Sequence, residues 1–372
     1  MNPEAAKGRP TPKGWPTPRT ARPPDPAIAA RLAAARAGDQ REFSGLTEPY
    51  RRELQVHCYR LLGSVHEAED LVQETLLRAW RRLDTYEGRA SFRAWLYKIA
   101  TNACLDVLAS RKRARRVLPP ATHPAADPNA AVMAPIMEPI WLEPFPDEWL
   151  VEAALNPETR YAAHESVSLA FLAALQLLPP RQRAVLVLCD VLDWSAREAA
   201  ELLGLTVSAV NSALHRARVT LGKHYHAQGP EAAPTRPGDE ATRALLHKYV
   251  RAWEAADVDG LVALLKEEAV FTMPPSPSWY RGRAPIGAFV AATIFGDEGM
   301  FSGKAAGRWR LMPARANAQP AFALYERDPS GGGYRAFALQ VLTFDGDQLA
   351  EVANFIDAAL FARFGLPAQL EA

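Results

Sequence analysis

The sequence predicts a multidomain chain: two all-α domains, the second built around a helix-turn-helix, followed by an α+β domain. The chain has 372 residues, which is too long for one ordinary domain. In residues 27–116 and 158–226 apolar residues recur at helical spacing, whereas short alternating runs beyond residue 268 predict strands. Two proline-rich stretches, residues 117–157 and 227–239, separate these regions and indicate linkers.

The changes in composition also predict the boundaries. We expect a disordered basic tail, a first helical domain, an acidic proline-rich linker, a second helical domain, a short second linker and a C-terminal α+β domain. In chain order these segments are residues 1–26, 27–116, 117–160, 161–227, 228–240 and 241–372.

The charge is distributed unevenly, although the formal total of +1 by itself argues against a nucleic-acid-binding protein. Residues 43–116 carry 14 basic and 9 acidic side chains, giving +5, and residues 166–228 carry 6 and 4, giving +2. Residues 117–165 carry 1 and 8, giving −7, and residues 229–372 carry 14 and 17, giving −3. Two basic blocks around an acidic connector are compatible with nucleic-acid binding.

The sequence gives no sign of a metal, a cofactor or a membrane. The three cysteines, Cys58, Cys104 and Cys189, are far apart in apolar surroundings, so they form neither a zinc motif nor a disulfide framework. No apolar run approaches the ~20 residues that span a bilayer, and no signal peptide is recognisable. We therefore expect a cytoplasmic protein without a cofactor or a membrane partner.

The first helical domain is predicted to contain four helices. Ser64 and Glu67 have the spacing of a capping box, so the third helix should begin at this point. The predicted helices cover residues 27–37, 42–62, 64–83 and 91–116.

Two patches of this domain stand out. The third helix has an outward polar face, formed by Asp70, Gln73, Glu74 and Arg78, which a simple solvated surface would also explain. Aromatic residues then alternate with cations in residues 86–102, and an arginine-rich run follows at 111–116. This composition suits unstacked bases over a charged nucleic-acid backbone, and it equally suits core aromatics beside a polar helix end.

The clearest local signal is a helix-turn-helix in residues 193–221. Ser195 and Glu198 form a capping box, Gly204 ends the first helix, and Thr206 caps the second. The outward face of the second helix is free of acids and combines short hydrogen-bonding side chains with cations: Ser208, Asn211, Ser212, His215 and Arg216. Such a face suits a helix that enters the major groove, and an ordinary helical hairpin is the alternative.

Together these motifs resemble the sigma-70 superfamily of bacterial transcription initiation factors, specifically its extracytoplasmic-function group. Residues 70–75 are similar to the polymerase-clamp motif of that family, and residues 92–102 with Asp106 are similar to its promoter-melting segment. Residues 178–183 and 214–218 resemble its −35-reading domain. The resemblance implies a sigma factor that binds core RNA polymerase and directs promoter-specific transcription initiation.

The resemblance also implies roles for individual residues. The β′ clamp helices of core polymerase would contact Asp70, Gln73, Glu74 and Arg78, and the β-subunit flap would be a further partner. The −10 element would be read and melted by Tyr86, Arg89, Phe92, Arg93, Trp95, Lys98, Asn102, Arg111, Lys112, Arg113, Arg115 and Arg116. The −35 element would be read by Ser208, Asn211, Ser212, His215, Arg216 and Arg218.

The resemblance also implies a position for the linker on polymerase. It would pass through the active-site cleft and the RNA exit path of polymerase, where its negative charge suits a channel built for nucleic acid. Residues 141–147 (Trp-Leu-Glu-Pro-Phe-Pro-Asp) are similar to a signature of a subgroup that carries an extra C-terminal domain. The apolar residues of this segment predict that it lies in a groove of its own protein or of a partner.

The C-terminal domain is predicted to begin with two helices and to continue as a curved antiparallel sheet. The helices cover residues 242–256 and 258–266, and the strands cover 269–273, 309–318, 321–326, 334–344 and 349–355. Glycine-rich turns at 331–333 and 345–347 separate the last three strands. Residues 245–257, 261–265 and 269–275 resemble the SnoaL-like domain, a cone-shaped α+β barrel.

A pocket in this cone would be lined by Trp253, Asp257, Phe271, Met273, Trp279 and Tyr280. Asp257, His247 and Asp357 are the available acids and bases, but their spacing forms no recognisable dyad, so we expect no enzymatic activity. We expect a regulatory domain that contacts the sigma domains and modulates them, with an unidentified small ligand as one input. A stabilising or dimerising module is the alternative.

Two other functions fit parts of the sequence. A helix-turn-helix regulator with a ligand-binding domain would bind operators without polymerase, and it would leave the polar face at residues 70–78 without a role. A SnoaL-like enzyme fused to a DNA-binding module would lose turnover when Asp257 or His247 is replaced.

Overall fold

The computed structural model describes residues 26–110, 115–136, 140–150, 166–225, 240–296 and 304–371. The predicted tail, apart from Pro26, lies outside the described residues. The same holds for part of the acidic linker, for the second linker up to residue 239, and for Arg111, Lys112 and Arg113.

The first helical domain contains four helices, α1 (Pro26–Arg36), α2 (Gln40–Leu62), α3 (Val65–Arg81) and α4 (Phe92–Ser110). Ser64 caps α3 as predicted, because its Oγ accepts a hydrogen bond from the amide of Glu67 at 3.1 Å. Gly63 ends α2 with φ of 72°, a conformation that favours glycine. A Cβ at Gly63 would also lie only 2.8 Å from Leu142 of the linker, so glycine satisfies both the turn and the packing.

The second helical domain contains α5 (Leu169–Gln176), α6 (Pro180–Leu186), α7 (Ala196–Leu203) and α8 (Val207–Tyr225). A π-helical turn, Val187–Val191, extends α6. The predicted capping box of Ser195 and Glu198 is present at the start of α7, and Gly204 has φ of 64° at its end. Helix α8 buries Val210, Ala213 and Ala217, so α7 and α8 form the predicted helix-turn-helix.

The C-terminal domain packs helices against one sheet. Its helices are α9 (Glu240–Ala255), α10 (Val258–Leu264), α11 (Arg283–Phe289) and α12 (Ala359–Arg363). Its strands are β1 (Leu265–Thr272), β2 (Trp279–Arg281), β3 (Trp309–Ala316), β4 (Gln319–Arg327), β5 (Tyr334–Asp345), β6 (Gln348–Phe355) and β7 (Gln369–Leu370). The strand order is β2-β1-β6-β5-β4-β3, and β7 pairs with the start of β5.

The prediction of an antiparallel sheet is wrong for one pair of strands, because β1 and β6 pair in parallel. These strands are the first and the last of the main sheet, and the rest of the domain serves as the long crossover that parallel pairing requires. The other neighbouring pairs are antiparallel, joined by hairpins between β3 and β4, β4 and β5, and β5 and β6.

The sheet faces two different apolar cores. Ala338 and Leu342 of β5 belong to the core of the C-terminal domain, whereas Leu339 and Val341 belong to a core shared with both helical domains. This alternation follows from the two-residue period of a strand. The three domains therefore pack into one body through the second face of the sheet.

Candidate nucleic-acid and polymerase surfaces

The outward face of α8 is exposed, as the sequence predicts for a helix that reads DNA. The exposed side chains are Ser208, Asn211, Ser212, His215, Arg216 and Arg218. Arg218 is paired with Asp190, through hydrogen bonds of 2.9 and 2.6 Å from its guanidinium to both carboxylate oxygens. The other polar side chains of this face are exposed to solvent, so a ligand could contact them without a rearrangement of α8.

The outward face of α3 is also accessible. Asp70 and Gln73 are exposed, and Glu74 and Arg78 are half-buried and joined by a hydrogen bond of 2.7 Å. Leu77 is 43% exposed between them, and the sequence analysis missed this apolar contribution. A single exposed leucine is normal on a protein surface, so Leu77 adds apolar area to this face but does not by itself identify an interface.

The aromatic rings of the predicted −10 segment pack on one another, and only Trp95 among Tyr86, Phe92 and Trp95 is partly exposed. The rings of Tyr86, Phe92 and Trp95 lie 5.3–5.6 Å apart, and Tyr50 adds a contact of 6.1 Å to Phe92. Tyr86 and Phe92 are buried by this cluster. Among the described residues of the predicted set, the exposed ones are Arg89, Lys98, Asn102 and Arg115.

Two arginines of the predicted −10 set are instead held by carboxylates within the protein. Arg93 donates from Nε to both oxygens of Glu53, at 3.0 and 2.9 Å. Arg116 is only 7% exposed and forms ion pairs with Glu67 at 3.0 Å and Glu143 at 3.1 Å. Arg116 therefore ties the linker to α3, and the expectation that it faces DNA is wrong for this conformation.

The linker segment 141–147 lies in a groove of the protein itself. The ring of Phe145 stacks on Tyr59 of α2 at 4.5 Å between centroids, and Leu142 is fully buried. The Glu143 carboxylate accepts hydrogen bonds from Ser64 Oγ at 2.8 Å and from the amide of His66 at 3.2 Å. An acid at this position also complements the positive N-terminal end of α3.

The turn between β3 and β4 joins all three domains. Asn317 and Ala318 have φ of 56° and 59°, as in a two-residue type I′ hairpin. The Asn317 amide Nδ2 donates to Tyr59 Oη at 2.8 Å and to the carbonyl of Val167 at 2.6 Å, while Oδ1 accepts from the amide of Phe145 at 2.9 Å. One fully buried side chain thus contacts both helical domains and the linker.

Neighbours of Asn317 extend this contact. Asp147 of the linker accepts from the amide of Ala318 at 2.7 Å and from Arg315 Nε at 3.0 Å. Gln319 Oε1 accepts from the amide of Leu169, the first residue of α5, at 3.3 Å. We call residues 315–319 the hairpin tip.

The two helical domains also contact each other directly. Helix α4 packs against α6 and α7, and the rings of Tyr97 and Trp194 lie 5.5 Å apart. The buried Arg183 donates to the carbonyl of Leu61 at the end of α2. Arg60 donates to Ser166 Oγ at 2.6 Å. The two domains expected to read the two promoter elements are therefore packed directly against each other.

The C-terminal domain reaches the edge of the α3 face through α12. Arg363 donates to Glu69 Oε2 at 3.0 Å and contacts His66 Nδ1 at 2.6 Å. Both partners precede Asp70 by a few residues, yet Asp70 and Gln73 stay exposed. The contact adjoins the predicted polymerase surface and leaves its centre accessible.

The predicted pocket residues of the C-terminal domain are buried, with one exception. Trp253, Phe271, Met273, Trp279 and Tyr280 are at most 6% exposed. Asp257 is wrong as a pocket residue: it is exposed and caps α10, accepting from the amide of Gly260 at 2.9 Å. Aspartate favours a helix N-cap for this reason, and the sequence alone did not distinguish the two roles.

The interior holds polar residues that the sequence analysis missed. Tyr249 Oη donates to Gln340 Oε1 at 2.9 Å, and Gln340 Nε2 donates to Asn354 Oδ1 at 2.7 Å. On β6, the Glu351 carboxyl is half-buried, and its desolvation raises its pKa to about 7. Gln340, Glu351 and Asn354 lie on strands among apolar residues, so no sequence motif distinguishes them.

The described part of the chain holds neither a cluster of metal ligands nor a membrane-spanning helix. No group of three or more His, Cys, Asp or Glu side chains there could hold a metal ion. No helix among the same residues is long and apolar enough to cross a membrane.

Comparison with family descriptions gives three matches in order along the chain. Residues 46–114 match Sigma-70 region 2, residues 168–221 match Sigma-70, region 4, and residues 246–352 match a SnoaL-like domain. The second match contains the helix-turn-helix, and the third contains most of the sheet.

Comparison with whole proteins gives matches of the same kind. The chain is 43% identical over 351 residues to the ECF RNA polymerase sigma factor SigG of Mycobacterium tuberculosis, a match covering 93% of this chain and 90% of that protein. It is 30% identical over 196 residues to SigW of Bacillus subtilis, covering 53% of this chain and 95% of SigW. The crystal structure of SigJ of Mycobacterium tuberculosis has the same fold, with a TM-score of 0.52 and 22% identity over 87% of this chain and 99% of that one.

The hairpin tip leads to a first prediction. Asn317→Gly keeps the left-handed turn but removes three side-chain hydrogen bonds, so we expect the free energy of unfolding to fall by about 2 kcal/mol or more. We also expect faster hydrogen exchange at the Phe145 amide, which loses its acceptor. Asp347→Gly, in the exposed turn between β5 and β6, is the matched control. Equal stability and exchange in both variants would contradict the role assigned to Asn317.

Proposed function

Because the chain belongs to the extracytoplasmic-function group of RNA polymerase sigma factors, we propose that it binds the β′ clamp helices of core polymerase through the exposed face of α3. The observation that carries this assignment is the accessibility of Asp70 and Gln73, with Leu77 exposed beside them. Further contacts would be made with the β-subunit flap. Transcription initiation with this protein would take place in the cytoplasm, where polymerase acts.

We further propose that the −35 element is read by the exposed face of α8, through Ser208, Asn211, Ser212, His215, Arg216 and Arg218. Short polar side chains near the start of this face suit base edges, and Arg216 suits a phosphate, whereas Arg218 would have to exchange Asp190 for a phosphate. The −10 strand would meet Arg89, Lys98, Asn102 and Arg115, with the aromatic cluster around Tyr86 as the wall of the site for a flipped base.

The arrangement of the helical domains has to change when the protein acts. The −10 and −35 elements are about 25 base pairs apart, or ~85 Å along B-DNA. Helix α8 has 19 residues and is only ~28 Å long, and it follows directly on α7, which packs against α4. The packed chain therefore cannot contact both elements at once, and the helical domains must separate on polymerase.

The C-terminal domain would modulate activity by stabilising the packed arrangement. Its hairpin tip holds Tyr59, Phe145 and Val167 together. It also binds the linker upstream of that point: the amide of Met133 donates to Ser278 Oγ at 3.0 Å, and Ser276 Oγ donates to the carbonyl of Met133 at 2.8 Å. A linker held in this way is not available to the polymerase cleft.

The polymerase assignment is tested by a charge reversal. Asp70→Arg should weaken binding to core polymerase about tenfold or more, because it places a cation at the centre of the proposed surface. Glu48→Arg, on the exposed side of α2, makes the same charge change and should bind normally. Affinity for purified core polymerase is the measurement. Unimpaired binding by Asp70→Arg would refute the assignment.

The regulatory role is tested by transcription with limiting sigma protein. A chain lacking residues 241–372, and separately the full chain with Asn317→Gly, should each yield more run-off transcript than the wild type, because less free energy opposes opening. The Asn317→Gly variant still tests the role if the truncated chain fails to fold. Asp347→Gly is the control for Asn317→Gly. Transcript yields equal to the wild type from Asn317→Gly would exclude a restraining role for the hairpin tip.

A further inference from the structure

Arg36 contacts the chain at a position far from it in sequence. It is the last residue of α1 and lies outside residues 46–114, which match Sigma-70 region 2. Its guanidinium Nη2 donates to the carbonyl oxygen of Tyr86, and its Nε lies 3.5 Å from that of Leu83. Helix α1 is itself fixed, since Leu32 and Ala35 are buried. Arg36 therefore connects a rigid helix to the segment that follows α3.

The segment that Arg36 contacts, residues 83–86, leads into an exposed loop. Leu83 begins a single 3-10 turn, and Tyr86 follows it as the first residue of the loop 86–91. Tyr86 Oη donates to the carbonyl of Ala90 at 3.0 Å, so the side chain of the first loop residue holds the other end of the loop. Arg89 is exposed within it. The position of the Tyr86 backbone therefore sets the position of the whole loop.

Two independent restraints act on Tyr86. Its ring is held by Phe92 at 5.4 Å and Trp95 at 5.3 Å, whereas its backbone carbonyl is held by Arg36. A cation is also well placed at carbonyl oxygens that end a helical turn. Loss of Arg36 would leave the aromatic packing intact and would free the backbone alone.

We propose that Arg36 is a positioning residue for promoter melting, which acts by fixing the loop 86–91 against the flipped base of the −10 strand. This inference rests on the proposed function of that loop. Extruding a base costs a few kcal/mol, so a binding loop that is already in place loses less of its binding energy to ordering. Arg36 would thus set how strongly the loop discriminates between bases.

The test uses holoenzymes assembled from core polymerase and the full chain. The probe is a DNA fragment that the wild-type holoenzyme selects from a random-sequence library, together with copies substituted singly at each −10 and −35 position. The variants are Arg36→Ala, Arg36→Lys and, as a control on the same helix, Arg31→Ala, which removes a surface pair with Glu42. Affinity for each fragment gives the discrimination at every position.

For Arg36→Ala we expect about tenfold weaker discrimination at the captured −10 base, the size of one hydrogen bond to a charged group. Discrimination at −35 positions and affinity for core polymerase should stay at the wild-type level, as should all values for Arg31→Ala. Lysine should restore part of the effect, because it can reach one carbonyl but not both.

Unchanged discrimination in Arg36→Ala would overturn the inference. An equal loss at −10 and −35 positions would also overturn it, since that pattern indicates general destabilisation. Failure of the proposed function is distinguishable from both outcomes, because it would appear in the wild-type holoenzyme, as an absence of selected promoter fragments.

Discussion

The packed arrangement depends on the buried amide of Asn317. Its two donors and its acceptor are used by a phenol of α2, a carbonyl at the start of the second helical domain and an amide of the linker. Leaving such groups unpaired in the interior costs about 1–3 kcal/mol each, so small displacements of any one domain are opposed. Apolar packing across the sheet brings the domains together, and this polar contact specifies how they meet.

The distribution of charge explains how a nearly neutral chain can present basic surfaces to DNA. Two acidic side chains of the described linker form ion pairs with cations of the domains: Glu143 pairs with Arg116, and Asp147 pairs with Arg315. The C-terminal domain in turn uses Arg363 against Glu69 on the first helical domain. The acidic connector therefore neutralises cations of its own protein while the domains are packed, and the exposed face of α8 is left without an acid in its first turn.

The sequence was informative where local chemistry decides the structure. Capping residues such as Ser64 and Ser195, and the glycine at 204, placed the helix-turn-helix and the start of α3 correctly. It failed where distant segments decide. The parallel pairing of β1 with β6 and the burial of Arg116 depend on partners far away in the chain, and the turn at Asn317 and Ala318 lacks the usual glycine, so it carries no clear hairpin signal. The exposed faces of α3 and α8 were predictable from helical spacing, whereas the hairpin tip that connects the domains was not.

The proposed function requires one chain to alternate between a packed arrangement and a separated one on polymerase. The direct measurement is the distance between spin labels at Ala109→Cys on α4 and Val219→Cys on α8, both exposed positions, with Cys189 replaced by serine. We predict a single short distance in the free protein, below ~50 Å given the ~28 Å length of α8, and an increase of tens of Å with core polymerase. The same distance in the free and bound states would contradict the proposed separation of the helical domains.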